Sequence, residues 1–171
     1  AQPEELLHLC GPEIALPASG TICVVGPGTG LGVAHILRVD SGYHICSTEG
    51  GHMDFAPLDS FEDALLGHLR TQFRRVSVER VVSGPGLGRI YDALARVEAR
   101  AVAVPDDPSL WTSALDGSDS LAVAALDRFC MSLGAVAGDI ALAQGATSAV
   151  IAGGIGQRLA RYLPTSGFAQ R

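Results

Sequence analysis

Seven residues near the start of the chain, Gly26-Pro27-Gly28-Thr29-Gly30-Leu31-Gly32, place four glycines in one short run between two β-branched segments. Glycine lacks Cβ, so a run like this can turn its N–H groups inward and let an anion or another stretch of backbone approach closely. It also breaks any helix that would pass through it. The flanking residues 21–25 and 33–39 both read as strands. Asp40-Ser41-Gly42 supplies a hairpin turn into a third strand over residues 43–47. The opening of the chain thus predicts an antiparallel three-strand meander. No G-x-G-x-x-G can be fitted to the run, and it leads into a strand, so it is not a Rossmann fingerprint.

The rest of the chain changes period. A short helix over residues 4–10 and a Pro-containing connector precede the meander. After Pro57, Asp59 or Ser60 caps a helix over 61–73 with Leu65, Leu66 and Leu69 on one face. Residues 80–83 read as a short buried strand, and Ser83–Gly88 opens a helix over 89–97. A short helix follows around 110–115. Asp119 or Ser120 starts a long helix ending at Gln144, with an apolar stripe of Leu121, Ala125, Phe129, Leu133, Val136 and Ile140. Gly134 and Gly138, four apart, predict close approach of a neighbouring helix, and Gly145 is a fitting stop. A strand at 149–152, a Gly153-Gly154 turn and a helix over 157–163 complete the order βββ, α, β, α, α, β, α. That order predicts an α/β fold, a mixed sheet with flanking helices.

Composition narrows the chemistry. All 12 basic residues are Arg; the chain has no Lys and no Asn. A Walker-A loop, a kinase strand lysine and Schiff-base catalysis are therefore excluded. Any phosphate must be held by backbone N–H groups, Arg or a metal. A net charge of −6 argues against nucleic acid as a partner. Cys10, Cys23, Cys46 and Cys130 form no CxxC, and no His stands at finger spacing, so no metal site is expected. Isolated buried thiols fit a reducing, cytoplasmic compartment. The uncharged stretches 21–37 and 140–157 are broken by glycines, so the chain reads as soluble, with no membrane partner.

Four segments could carry function. Gly28, Thr29 and Gly30 could cradle a phosphate, or simply shape a hairpin. Glu49-Gly50-Gly51-His52 sets a carboxylate and an imidazole three apart, which suits polyol recognition: the carboxylate accepts from vicinal hydroxyls and the imidazole makes a third bond. An exposed loop is the plainer alternative. Glu79, beside a buried apolar run, is a second carboxylate or an ordinary surface ion-pair partner. In Ala149-Val150-Ile151-Ala152-Gly153-Gly154-Ile155, a bare Gly-Gly follows a hydrophobic strand, giving a flat surface for a planar ring or ordinary strand–helix packing.

Taken in order, GPGTGLGVAHI (26–36), EGGHMDFAP (49–57), VERVVSGPGL (78–87), VIAGGI (150–155) and SGF (166–168) resemble the bacterial ATP-dependent glucokinases of the hexokinase/actin-like superfamily. The resemblance covers nearly all of the chain from residue 21 onward. It implies an actin-like ATPase (ribonuclease H-like) domain that transfers the ATP γ-phosphoryl group to the 6-hydroxyl of glucose, with Mg2+ on the phosphates. Gly28, Thr29 and Gly30 match the second phosphate loop, and Gly153 and Gly154 the adenosine motif. Glu49, His52 and Glu79 match residues that hydrogen-bond glucose. The family's first phosphate loop, of Asp-Gly-Gly-Thr type, and its Asp base have no match here, and Asp54 does not replace that base. The sequence is therefore expected to be a connector (1–20) and a large domain (21–171) incomplete at its C-terminus, inactive without an N-terminal domain. The resemblance also implies a homodimer. The zinc-binding sugar kinases and regulators of the superfamily carry a Cys-rich motif that is missing here, which favours the glucokinase branch. The alternatives are a non-catalytic sugar- or nucleotide-binding module, a pseudokinase, or a kinase for another hexose.

Overall fold

The computed structural model describes residues 6–12 and 15–170. Four strands, β1 (Gly20–Pro27), β2 (Leu31–Val39), β3 (Gly42–Thr48) and β4 (Ala146–Ile151), form one sheet in the order β3-β2-β1-β4. β2 and β3 pair antiparallel through a two-residue turn, with Val39 opposite Gly42. β4 joins the other side of β1 in parallel, with Val25 opposite Ile151. The sheet is mixed, as the order of elements predicts.

The chain divides into two compact units. The first contains Ala1–Gly28, Gly32–Gly50 and Cys130–Arg171. It holds the sheet and a short helix, α5 (Gly153–Leu159), followed by 3-10 turns at Leu163–Thr165 and Gly167–Gln170. Its core includes Ile22, Cys23, Val25, Leu133, Leu159 and Leu163, each 2% exposed or less. The second unit contains Thr29–Leu31 and Gly51–Phe129. It holds α1 (Ser60–Arg70), α2 (Gly84–Val97) and α3 (Asp107–Asp116). Asp59 caps α1 by accepting the Glu62 N–H at 2.9 Å, and its other oxygen accepts from Arg128. Trp111 and Phe129 meet edge to face at 5.4 Å in this unit's core.

The long helix α4 (Ser120–Gln144) contributes its residues to Phe129 to the second unit and the remainder to the first. All six residues of the expected stripe are buried. By length and composition alone α4 could cross a membrane, but most of its apolar stretch is buried inside the protein, as in a core helix. Asp119 receives the N–H groups of Leu121 and Ala122 and the Tyr91 hydroxyl. Burial pushes this carboxyl upward, yet the hydrogen bonds outweigh it and hold it below its ordinary value.

Several expectations are corrected. Residues 6–10 form no helix; residues 4 and 5 lie outside the described residues. There the His8 ring bonds the Gly11 carbonyl, and Gly11 has φ +80, which a helix cannot continue through. Residues 80–83 are not a strand. Val78–Arg80 is a 3-10 turn, and the N–H groups of Val81 and Val82 both reach the Val78 carbonyl. Both valines are fully buried, and a short apolar run of this length does not reveal by pattern whether it is extended or coiled. α2 starts at Gly84 rather than 89, because Pro85 fits the first turn. α5 likewise begins at Gly153, so Gly153-Gly154 is its first turn, and it ends at Leu159. Cys10 and Cys46 are exposed; only Cys23 and Cys130 are buried.

Gly134 does face a close neighbour, but not a helix. A Cβ there would collide with the Phe168 carbonyl oxygen of the last 3-10 turn, while Gly138 faces open space. Because the obstacle is backbone, Gly134→Ala should cost about 1–3 kcal/mol of stability. A urea titration checks this, and an unchanged midpoint would contradict the packing described.

Candidate functional site

In the first unit, the parallel pairing of β1 with β4 sets the two strand ends side by side. The Ala152 N–H donates to the Val25 carbonyl at 2.8 Å, one residue beyond the last paired residues. Gly26-Pro27-Gly28 leaves the end of β1 and Gly153-Gly154 leaves the end of β4. A Cβ on Gly153 would stand 2.7 Å from the Pro27 carbonyl oxygen, and Gly153 has φ +75. Glycine is thus required there twice, by the close approach and by the left-handed backbone. Gly154 has nothing within 4 Å of a would-be Cβ and is exposed. Gly28 also faces open space. Bare backbone at the carboxyl ends of parallel strands is where open α/β sheets take ligands. Glu49 is exposed near the end of this unit's Gly32–Gly50 segment, just past β3.

The second unit brings Thr29, Gly30, His52 and Glu79 into one body. Glu79 lies in the Val78–Arg80 turn, and its Oε2 accepts the backbone N–H of Leu31 at 2.9 Å. Gly30 lies against the same oxygen: a Cβ there would overlap Glu79 Oε2. A Cβ on Gly51 would overlap the Leu31 carbonyl oxygen. Gly51 is buried at the centre of the Gly50–His52 turn, which delivers His52 to the surface. The carbonyl and amide of Leu31 are therefore enclosed from two sides, by the Gly51 backbone and by the Glu79 carboxylate. Thr29 is exposed.

Sequence reasoning missed the supports of Glu79. Arg89, on α2, donates from Nη1 to the Arg80 carbonyl at 2.8 Å. Both the Arg80 and the Arg89 guanidinium lie over the Phe73 ring, at 4.3 Å and 5.3 Å. Burial, then the Arg80 charge, lowers the Arg89 pKa. These groups fix the carbonyl of Arg80, the residue after Glu79. No local motif announces them, because they come from three separate stretches of sequence.

The Ser83–Gly88 run at the start of α2 is packed closed. Ser83 is buried, Gly86 packs against the Val81 carbonyl, and Trp111 Nε1 donates to the Gly84 carbonyl. Asp54 is ion-paired with Arg75 and exposed. Among the described residues, no group of three or more His, Cys, Asp or Glu could hold a metal ion.

Packing at Gly51 has a stability consequence. Gly51→Ala should destabilise the protein by about 1–3 kcal/mol, since a backbone oxygen cannot swing aside. Gly67→Ala, on α1 with nothing within 4 Å, should instead stabilise by about 0.5–1 kcal/mol. Thermal or urea unfolding of the pair checks the contrast, and equal effects would contradict it.

Comparison with known proteins agrees with this architecture. The Glucokinase family model matches residues 1–171. A glucokinase of Zymomonas mobilis is 63% identical over 164 residues, which is 96% of this chain and 51% of that protein. Among solved structures, a glucokinase from an Antarctic psychrotroph superposes with a TM-score of 0.82 at 37% identity, over 92% of this chain and 49% of the other. A ROK family glucokinase from Streptomyces griseus, solved with glucose and AMPPNP, shares the fold at 16% identity and a TM-score of 0.58, over 90% of this chain and 51% of its own. The chain spans about half the length of the curated relatives it matches. Its fold is the actin-like ATPase fold of the sugar kinases, and the chain belongs to the glucokinase family.

Proposed function

We propose that this chain supplies much of the sugar and nucleotide sites of a glucokinase, which moves the γ-phosphoryl group of ATP to the 6-hydroxyl of glucose. The observation that carries the reading is Glu79, an acid whose carboxylate is held by a backbone N–H of the glycine-rich run. That bond tethers the carboxylate to the run and leaves the rest of the side chain able to settle on a ligand. In this reading Glu79 uses its Oε1 to accept from a sugar hydroxyl. Glu49 accepts from two vicinal hydroxyls, and His52 makes a further bond. These contacts place the 6-hydroxyl rather than activate it. The base that takes the 6-hydroxyl proton belongs to the family's N-terminal part, for which these segments have no counterpart.

The nucleotide side rests on backbone. Gly28, Thr29 and Gly30 would face the phosphates through N–H groups and the Thr29 hydroxyl, and Gly153 and Gly154 would bear the adenine ring. Phosphoryl transfer depends mainly on positioning and electrostatics, so a lysine-free glycine loop suits it. Mg2+ would come with ATP and shield its phosphates. The described residues offer it no cage, as is usual for an ion bound chiefly by phosphates and water, and no step is assigned to it. The same reading makes residues 1–20 a connector and 21–171 a large domain that works with an N-terminal domain. It implies a cytoplasmic homodimer.

A coupled assay for glucose 6-phosphate tests the reading. The full-length protein should form it from glucose and ATP, and the 171-residue chain alone should not. Glucose binding without turnover in the full-length protein would favour a non-catalytic module instead. Glu49→Gln keeps the shape but weakens charge-assisted acceptance, and should raise the glucose KM about tenfold or more. An unchanged KM would remove Glu49 from the sugar site.

A further inference from the structure

The glycine-rich run and the sugar-side carboxylate share a hydrogen bond, and that bond has a functional consequence. Glu79 Oε2 is occupied by the Leu31 N–H, immediately beyond Thr29 and Gly30. The absent side chain of Gly30 leaves the space that this oxygen fills. We propose that Glu79 couples the two substrates: one carboxylate oxygen grips the nucleotide loop and the other grips the sugar, so each ligand orders the carboxylate for the other. The inference rests on the glucokinase reading above and deepens it.

Gly30 lies outside the left-handed backbone region, so its glycine is not demanded by a positive φ. What demands it is the Glu79 carboxylate, the end of a flexible side chain. Everything else around the turn is fixed: the Val78 carbonyl receives two N–H groups, and Arg89 holds the carbonyl of Arg80. The Glu79 side chain is thus the adjustable part of a rigid setting. If phosphates pull the backbone of residues 29–31, the Leu31 N–H moves and the carboxylate follows. If a sugar hydroxyl fixes Oε1, Oε2 is fixed too and the loop loses freedom before the nucleotide binds. Linkage requires the effect to be mutual: glucose must tighten nucleotide binding by the same factor as nucleotide tightens glucose binding.

Gly30→Ala separates this inference from a purely phosphate-holding role. The new Cβ would displace the Glu79 carboxylate without touching its residue type. Calorimetric titration of glucose, with and without AMPPNP, should be done on the full-length wild type and on the variant. The wild type should bind glucose several-fold more tightly when AMPPNP is present. Gly30→Ala should weaken glucose binding about tenfold even with no nucleotide present, and the coupling factor should fall to about one. Gly138→Ala, on α4 outside both proposed sites and with nothing near its Cβ, should leave glucose affinity unchanged with and without nucleotide. Gly30→Ala leaves the Leu31 N–H without its carboxylate, so its melting temperature should fall modestly, and circular dichroism should show both variants folded at the titration temperature. A Gly30→Ala protein that binds glucose as the wild type does would overturn the inference while leaving the glucokinase reading intact. So would a wild type that binds both ligands with no mutual effect. A wild type that binds no glucose would overturn both.

Discussion

The hydrogen bond from the Leu31 N–H to Glu79 is the contact on which the arrangement of the second unit's candidate site residues depends. It joins residues 48 positions apart in sequence. It forms only because Gly30 carries no side chain, and the other face of Leu31 is closed only because Gly51 carries none. His52 then reaches the surface one residue after Gly51. On the far side, the 3-10 turn bearing Glu79 is held by Arg89 and by the guanidinium groups stacked on Phe73. A partly buried carboxylate that accepts a backbone N–H has its desolvation compensated and its direction set, which recognition of a sugar hydroxyl requires.

The first unit solves a different problem with the same residue type. Its parallel β1–β4 pair brings two chain exits together, and Gly153 permits their backbones to touch. No charged side chain is needed there. That is consistent with a chain whose basic residues are all Arg, and with phosphate binding built from peptide groups.

The meander, the long helix with its buried stripe and the mixed sheet were legible in the sequence, because each follows from alternation, period or turn chemistry. The candidate residues were legible chiefly through the order of glycine-rich segments. Their physical linkage was not. Glu79 read equally well as a surface ion-pair partner, since its actual partner is a backbone N–H, which no sequence pattern marks. Residues 80–83 read as a strand because buried valines look alike in strands and in 3-10 turns. Gly134 signalled a close approach correctly, but the neighbour is the Phe168 carbonyl rather than a helix. The C-terminal segment adopts its turn for tertiary reasons. Arg89 and Phe73 gave no signal, because their importance lies in what they hold.

The most direct measurement is a crystal structure of the full-length protein with glucose and AMPPNP bound. The account predicts one Glu79 oxygen on a sugar hydroxyl, the other still on the Leu31 N–H, and the phosphates facing residues 28–30. A sugar bound away from Glu79, or a Glu79 that abandons Leu31 to reach it, would contradict the account.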